Sequence, residues 1–212
     1  MTTNSTPTLF DDALARTGMI AILRGVRPTE VEAIGAALYE SGFRLIEVPL
    51  NSPQPLDSIA TLRRTLPADC LVGAGTVLQP QQVEQVASVG GQLIVMPHSD
   101  PAVIGAAKRA GLYCAPGVAT VTEAFAALAA GADVLKMFPA EQLGPTVVKA
   151  WRAVIAPSIA LLPVGGITPQ GMAVFRQAGA SGFGLGSALY TPGLSADEVR
   201  QRAQAFVAAW AA

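Results

Sequence analysis

Two charged residues, Glu47 and Lys136, lie inside short apolar segments whose composition is typical of buried strands. Side chains alternate between the two faces of a strand, so Glu47 lies on the face opposite Ile46 and Val48. Those two apolar residues form the face that surrounding helices would cover. Lys136 also has apolar neighbours on both sides. We therefore predict that both charged side chains point into the interior of a parallel sheet.

A lysine surrounded by apolar groups is more readily neutral, and the neutral amine attacks carbonyl carbons. The resulting Schiff base can accept electrons during cleavage of a carbon–carbon bond. A nearby carboxylate can move the protons that this reaction needs. Lys136 and Glu47 together thus indicate the chemistry of a class I aldolase. The alternatives are a buried ion pair or a lysine that reaches solvent at a strand end. The cost of burying an unpaired charge favours a functional role.

Glycines follow the last two apolar segments of the chain, as Gly165-Gly166 and as Gly186 before Ser187. In α/β barrels, the loops after strands seven and eight commonly bind phosphate through backbone N–H groups, and glycine permits close approach of the anion. We predict a phosphate site here, with ordinary loop glycines as the alternative. Arg24 follows the first apolar segment and could bind a carboxylate or phosphate, unless it is a solvated surface arginine.

The elements that must position these residues recur regularly. Short apolar segments alternate with helix-like segments that begin at prolines and end before glycines. The eight apolar segments are 19–23, 45–49, 71–74, 93–96, 113–115, 134–138, 161–164 and 182–185. Prolines 28, 101 and 169 mark helix starts, and glycines 42, 90, 111, 131 and 179 mark helix ends.

Eight such units predict an α/β fold, a compact (β/α)8 TIM barrel with mostly parallel, covered strands. An additional helix is predicted at Leu9–Thr17, before the first strand. We predict one domain over residues 1–212, with residues 1–8 as a flexible tail.

Composition excludes several other classes of protein. The chain has 212 residues, of which 51% are hydrophobic and 14% charged, with a formal net charge of -1. This charge balance argues against a nucleic-acid partner. No apolar segment is long enough for a membrane span.

With His98 as the only histidine, we expect no metal. Glycine spacing fits no dinucleotide fingerprint, so we expect no cofactor. Cys70 and Cys114 are expected as reduced core thiols of a cytoplasmic protein.

Several motifs together resemble the keto-deoxy-phosphosugar aldolases, a family of class I aldolases. The resemblance runs from about Met19 to the C-terminus with little gapping. The motifs that carry it are residues 22–25, 47–53, 73–78, 135–139 and 164–166.

The resemblance implies that Lys136 forms the Schiff base and that Glu47 donates and accepts protons. It also implies reversible cleavage of a phosphosugar acid to pyruvate and D-glyceraldehyde 3-phosphate, and a homotrimer. Phe138 would pack on the pyruvate moiety. The implied substrate contacts are Arg24, Asn51, Thr76, Pro97 and Gly165, with phosphate held by Gly165, Gly166, Gly186 and Ser187.

The residues after Glu47 bear on which sugar epimer is cleaved. Within the family, gluconate-type enzymes tend to have Thr-Leu-Arg here, whereas galactonate-type enzymes have Pro-Leu-Asn-Ser-Pro, as this chain does at residues 49–53. Replacing a cationic side chain by the amide of Asn51 should change how the sugar hydroxyls are recognised. We therefore expect a galactonate-type substrate, with the gluconate epimer as the alternative.

Two residues depart from the family pattern, and two other functions stay open. His98 stands where asparagine or glycine is expected, and either contacts substrate or simply replaces another polar loop residue. Met96 replaces a threonine. The other functions are a barrel that binds a phosphate ligand without catalysis, with Lys136 as a charge contact, and an isomerase or synthase that uses Glu47 as a base.

Overall fold

The structure, a computed structural model, describes residues 8–212. Its first helix confirms the predicted segment, because α1 spans Leu9–Thr17. Thr8 caps this helix: its hydroxyl accepts from the Asp11 N–H, and the Asp11 carboxylate accepts from the Thr8 N–H. This reciprocal pairing satisfies donors that a helix start leaves free. The predicted flexible tail otherwise lies outside the described residues.

Strands and helices alternate along the rest of the described chain. The strands are β1 (Met19–Ile22), β2 (Leu45–Pro49), β3 (Leu71–Gly75), β4 (Leu93–Val95), β5 (Tyr113–Ala115), β6 (Gly117–Val118), β7 (Leu135–Met137), β8 (Leu161–Pro163) and β9 (Phe183–Leu185). The helices after α1 are α2 (Pro28–Glu40), α3 (Pro55–Thr65), α4 (Pro80–Ser88), α5 (Pro101–Arg109), α6 (Val121–Ala129), α7 (Ala140–Trp151), α8 (Met172–Gln177) and α9 (Ala196–Ala211).

All eight predicted strands are present, with ends within one residue of the prediction. The two-residue strand β6 was not predicted, because Pro116 separates it from β5. The proline and glycine signals are also confirmed. Pro28 and Pro101 begin helices and Pro169 begins a 3-10 turn (Pro169–Gly171). The five glycines predicted to follow helices all have positive φ, a conformation that glycine adopts without steric cost.

The strands form two parallel sheets. Six strands pair in the order β5-β4-β3-β2-β1-β9, and three pair in the order β6-β7-β8. A parallel bridge between Val164 and Gly184 connects the end of β8 to β9. At the other border, the N–H groups of Asp133 and Lys136 donate to the carbonyls of Cys114 and Pro116. The result is a curled parallel sheet covered by helices, which confirms the predicted α/β class.

Strands β1 to β5 and β8 contribute side chains to two separate apolar clusters, one on each face of the sheet. Ile46 and Val48 belong to the larger cluster, between sheet and helices, whereas Leu45 belongs to the smaller one. The smaller cluster fills the concave interior of the sheet, and Phe10 of α1 packs into it. The alternation predicted for β2 is therefore confirmed, and the interior of the sheet beside Glu47 is apolar.

Polar contacts that are exposed or partly buried stabilise the opposite edge of the sheet, at the N-terminal ends of the strands. Asp133, before β7, accepts from Lys108 Nζ at 2.7 Å and from the Cys114 N–H at 2.8 Å. Arg152 donates to the carbonyls of Gly179 and Ile159. In barrels this edge serves stability rather than catalysis.

Both cysteines are buried and free, as predicted. Burial raises the pKa of the Cys70 and Cys114 thiols to about 12, so neither forms a reactive thiolate near neutral pH. Across residues 8–212, no helix is both long enough and apolar enough to cross a membrane.

Replacing Asp133 should destabilise the fold. Asp133→Ala removes the partner of Lys108 and leaves the Cys114 N–H unpaired, so we expect the free energy of unfolding to fall by about 1–3 kcal/mol. Denaturant unfolding followed by circular dichroism measures the change. Asp197→Ala is the control, because this ion-paired carboxylate is 85% exposed and should contribute less than about 1 kcal/mol. Equal losses in the two variants would contradict this account.

Candidate active site

The C-terminal ends of the strands surround a cavity of about 660 Å³. Loops after β1, β3, β4, β7, β8 and β9 contribute its walls. Nine of the eleven residues predicted for the site line it: Arg24, Thr76, Pro97, Lys136, Phe138, Gly165, Gly166, Gly186 and Ser187. The other two, Glu47 and Asn51, lie next to lining residues, as described below. The structure thus brings together residues that are up to 163 positions apart in the chain.

Lys136 lines this cavity, and Glu47 lies beside it inside the curled sheet. The exposed fractions of Glu47 and Lys136 are 1% and 7%, and both line one small interior void whose other walls are mostly apolar. Glu47 Oε2 has no hydrogen-bond partner in the described part of the chain. No salt bridge joins the two side chains. Glu47 and Lys136 therefore do not form the buried ion pair that was the alternative to a functional role.

Burial changes the acidity of both groups. Desolvation raises the pKa of Glu47 from 4.5 to about 7, against the opposing charges of Lys136 and Arg24. Desolvation lowers the pKa of Lys136, assisted by Arg24 and opposed by Glu47. A carboxyl that titrates near neutral pH can both donate and accept protons, and a lysine with a lowered pKa is more often a neutral nucleophile.

The glycine at the end of β3 leaves room for the Glu47 carboxylate. A Cβ at Gly75 would overlap the carboxyl atoms of Glu47, so a larger residue here would displace that carboxyl. Gly75 belongs to a motif that carries the family resemblance, and its role becomes visible only when β2 and β3 are paired in register.

Phe138 follows Lys136 by two positions and lies on the same face of the chain. The Lys136 Nζ atom is 4.9 Å from the centroid of the Phe138 ring, and Phe138 is 36% exposed toward the cavity that it lines. An aromatic wall at this position excludes water from one side of the amine.

Arg24 is held at the cavity mouth by side chains from the loops that follow β2 and β3. Its Nη1 atom donates to Asn51 Oδ1 at 2.6 Å, and both Nη atoms lie within 3.4–3.5 Å of Thr76 Oγ1. Thr76 has a φ of 56°, an uncommon conformation for a β-branched residue. Asn51 contacts Arg24 but does not line the cavity.

The two glycine loops form the opposite wall. Gly165 and Gly166 have φ values of 109° and 67°, which favour glycine. Within residues 8–212, the N–H groups of Gly166, Ser187 and Ala188 donate no hydrogen bond to the protein. Such free N–H groups beside a cavity can bind the oxygens of an anion.

Tyr190 and Ser52 contribute to the site although the sequence did not indicate them. Tyr190 lines the cavity, and its hydroxyl donates to Glu30 Oε1 at 2.8 Å, which ties the β9–α9 loop to α2. Buried Ser52 accepts from the Gly25 N–H at 2.9 Å. Ser52 lies within the quoted motif at residues 47–53, so that motif was the available signal. Nothing in the sequence pairs Tyr190 with Glu30.

The two departures from the family pattern have different outcomes. Met96 is fully buried in the larger cluster, and its sulfur lies 3.9 Å from Cys114 Sγ, so it serves packing. His98 does not line the cavity, and its Nδ1 atom is buried without a hydrogen-bond partner among the described residues. A substrate contact by His98 stays a prediction.

The geometry as a whole combines a buried amine, a carboxyl that titrates near neutral pH, an arginine and free N–H groups around one cavity. An amine at the base can bind a carbonyl carbon covalently, while the arginine and the N–H groups bind anionic ends of the same molecule. The arrangement suits a small keto acid that also bears a phosphate.

Comparisons with known proteins place this chain in context. The aldolase family described as KDPG and KHG aldolase matches residues 10–205. The chain is 52% identical over 192 residues to the probable 2-dehydro-3-deoxy-6-phosphogalactonate aldolase of Rhizobium meliloti (strain 1021), covering 91% of each chain. It is 47% identical over 192 residues to 2-dehydro-3-deoxy-6-phosphogalactonate aldolase of Escherichia coli (strain K12), covering 91% of this chain and 94% of that one. A solved structure described as native KDPGal superposes with a TM-score of 0.89 at 47% identity, over 91% of this chain and 94% of that one.

The raised pKa of Glu47 should make stability depend on pH. Between pH 4.5 and about 7 the folded protein retains a proton that the unfolded chain has lost, so the stability of the wild type falls as pH rises through this window. Glu47→Gln mimics the protonated side chain and should escape this loss. We expect the variant to be more stable than the wild type above pH 7, by up to about 3 kcal/mol. Denaturant unfolding between pH 4.5 and 8.5 measures it.

The matched control is Glu198→Gln. Hydrogen bonds from Ser195 lower the pKa of Glu198, so its amide variant should gain no stability at high pH. Parallel stability curves for the wild type and Glu47→Gln would show that Glu47 keeps an ordinary pKa.

Proposed function

The chain belongs to the KDPG and KHG aldolase family, and on that premise we propose that it is a class I aldolase. Its substrate is 2-dehydro-3-deoxy-6-phosphogalactonate, which it cleaves reversibly to pyruvate and D-glyceraldehyde 3-phosphate. The observation that carries this proposal is Lys136, a buried amine with a lowered pKa that shares its void with Glu47 and opens onto the cavity. Both relatives named above carry the galactonate name.

Cleavage begins at the C2 carbonyl of the substrate. Neutral Lys136 Nζ attacks this carbon to form a carbinolamine, and loss of water leaves a protonated Schiff base. Glu47, with a pKa of about 7, donates the proton that leaves with the hydroxyl as water. The positively charged nitrogen on C2 can then accept the electrons of the C3–C4 bond.

The bond between C3 and C4 breaks next. The Glu47 carboxylate accepts the proton of the C4 hydroxyl, the C4 oxygen becomes the aldehyde of glyceraldehyde 3-phosphate, and the bonding electrons form an enamine on C3. Glu47 passes the proton that it took from the C4 hydroxyl to C3, which regenerates the protonated Schiff base. Hydrolysis by one water then releases pyruvate and the neutral Lys136 amine, and Glu47 accepts the proton that is set free.

The cavity walls bind the two anionic parts of the substrate. Phosphate binds to the backbone at Gly165, Gly166, Gly186 and Ser187, where the free N–H groups of Gly166 and Ser187 support this role. Arg24 and Thr76 bind the remaining polar groups, Phe138 packs on the pyruvate moiety, and Pro97 completes the wall. No metal or cofactor takes part in this mechanism.

The two sheets together form one closed (β/α)8 barrel in this proposal. The bridge between Val164 and Gly184 supports closure on one side. On the other, residues 113–118 pair with β4 at their start and with β7 at their end. A single domain, a homotrimer and a cytoplasmic location, implied by the resemblance and the free cysteines, complete the proposal.

Trapping of the Schiff base tests the mechanism. Borohydride reduction in the presence of pyruvate should attach a reduced pyruvyl group to Lys136, detectable by mass spectrometry of peptides. Lys136→Arg should remain unlabelled, because guanidinium does not form the imine. Lys149→Arg should be labelled like the wild type, since Lys149 is exposed on α7. An unmodified Lys136 in the wild type would refute the proposal.

A comparison of the two epimers tests the substrate. The purified protein should cleave 2-dehydro-3-deoxy-6-phosphogalactonate with a kcat/KM at least about 10-fold above that of the gluconate epimer, because a polar site penalises a misplaced hydroxyl. A coupled assay for pyruvate measures both rates. Equal rates would refute the galactonate preference and leave the Schiff-base mechanism intact.

A further inference from the structure

Asn51 interacts with Arg24 rather than with the cavity. Its Oδ1 atom accepts from Arg24 Nη1 at 2.6 Å, and Asn51 is not among the residues that line the cavity. Arginine has only donors, so the amide oxygen must face the guanidinium and the amide NH2 group must point elsewhere. The atom of Asn51 that acts in this contact is therefore its acceptor.

Ser52 fixes the backbone beside the same arginine. Its Oγ atom, on a residue that is 7% exposed, accepts from the Gly25 N–H at 2.9 Å. Gly25 has a φ of 83°, and a Cβ there would overlap Pro192 of the β9–α9 loop. The segment that carries Arg24 is thus held between the β2–α3 loop and the β9–α9 loop.

We propose that Asn51 and Ser52 are positioning residues that act on the substrate through Arg24. Asn51 holds the guanidinium beside Thr76, and Ser52 holds the backbone from which Arg24 extends. Arg24 is exposed at the cavity mouth and has many rotamers, so fixing it in advance lowers the entropic cost of binding an anion. The proposal rests on the proposed function and explains why Asn51 and Ser52 are present: they position Arg24.

This proposal differs from a direct contact between Asn51 and the sugar. A direct contact to a sugar hydroxyl would use the amide NH2 group or the oxygen that Arg24 already occupies. A positioning role needs only an acceptor at residue 51. Asn51→Asp keeps an acceptor and loses the amide donors, so the position of Arg24 in this variant shows whether an acceptor is enough to hold it.

Steady-state kinetics with the phosphorylated keto acid test the proposal. Asn51→Ala should raise KM by about 5–30-fold and change kcat by less than about 3-fold, since the binding of an anion weakens while the Lys136 chemistry stays in place. Asn51→Asp should keep Arg24 in place, but its carboxylate neutralises the guanidinium charge, so this variant is used for the structural test below and not for kinetics. Ser52→Ala should shift KM in the same direction as Asn51→Ala. Gln54→Ala is the control, because Gln54 is an exposed amide in the same loop without a side-chain cap hydrogen bond.

A double-mutant cycle gives the decisive result. In an Arg24→Ala background, Asn51→Ala should cause no further rise in KM, because the residue through which it acts is gone. The proposal is overturned if Asn51→Ala keeps its full effect in that background.

Crystal structures of the ligand-free variants test positioning independently of turnover. The Arg24 guanidinium should leave Thr76 in Asn51→Ala and stay beside it in Asn51→Asp. An unchanged Arg24 in Asn51→Ala would overturn the proposal even in a fully active enzyme. Failure of the proposed function would instead appear as an unlabelled Lys136 in the borohydride experiment with the wild-type protein.

Discussion

Desolvation of Glu47 and Lys136 within a curled apolar sheet is the constraint on which the rest of the site depends. Water would return both groups to their ordinary pKa values, and a direct ion pair would stabilise both charged forms. The fold prevents both outcomes. Apolar side chains of the smaller cluster fill the interior below the pair, and Gly75 leaves just the space that the Glu47 carboxyl needs. The two groups influence each other through their charges but form no salt bridge. The pKa of Glu47 therefore stays at about 7, and the pKa of Lys136 stays below its ordinary value.

The groups proposed to bind the anionic parts of the substrate lie apart from this buried pair. They are of two kinds, uncharged backbone N–H groups on the glycine loops and the guanidinium of Arg24. Neither requires a large positive charge, which agrees with a chain whose net charge is -1. The loops that carry these groups are held from outside, by Tyr190 on Glu30 and by Ser52 on Gly25. Rigid support of this kind keeps binding groups in place before the substrate arrives.

Much of the fold could be predicted because its signals are local. A proline at a helix start and a glycine after a helix end act within a few residues, and a short apolar segment between them has few conformations other than a buried strand. Strand β6 was not predicted because it has only two residues, too few to show a periodicity, and Pro116 separates it from β5. Glu47 and Lys136 could be identified because a charge within an apolar strand conflicts with its surroundings. Ser52 and Tyr190 could not, since a serine and a tyrosine are ordinary in loops and their partners lie 27 and 160 residues away.

The sequence by itself determined the order of strands and helices, the faces of β2 and β7, and the identity of the two buried charged residues that we propose as reactive groups. These follow from local periodicity and from the free energy of burying a charge. Only the tertiary structure decided that Asn51 faces Arg24 instead of the cavity, that Gly75 makes room for Glu47, and that Met96 serves packing. Those outcomes depend on strand register and on contacts between distant loops. The packing of the whole sheet decides which distant residues meet, so these contacts cannot be inferred from residue type alone.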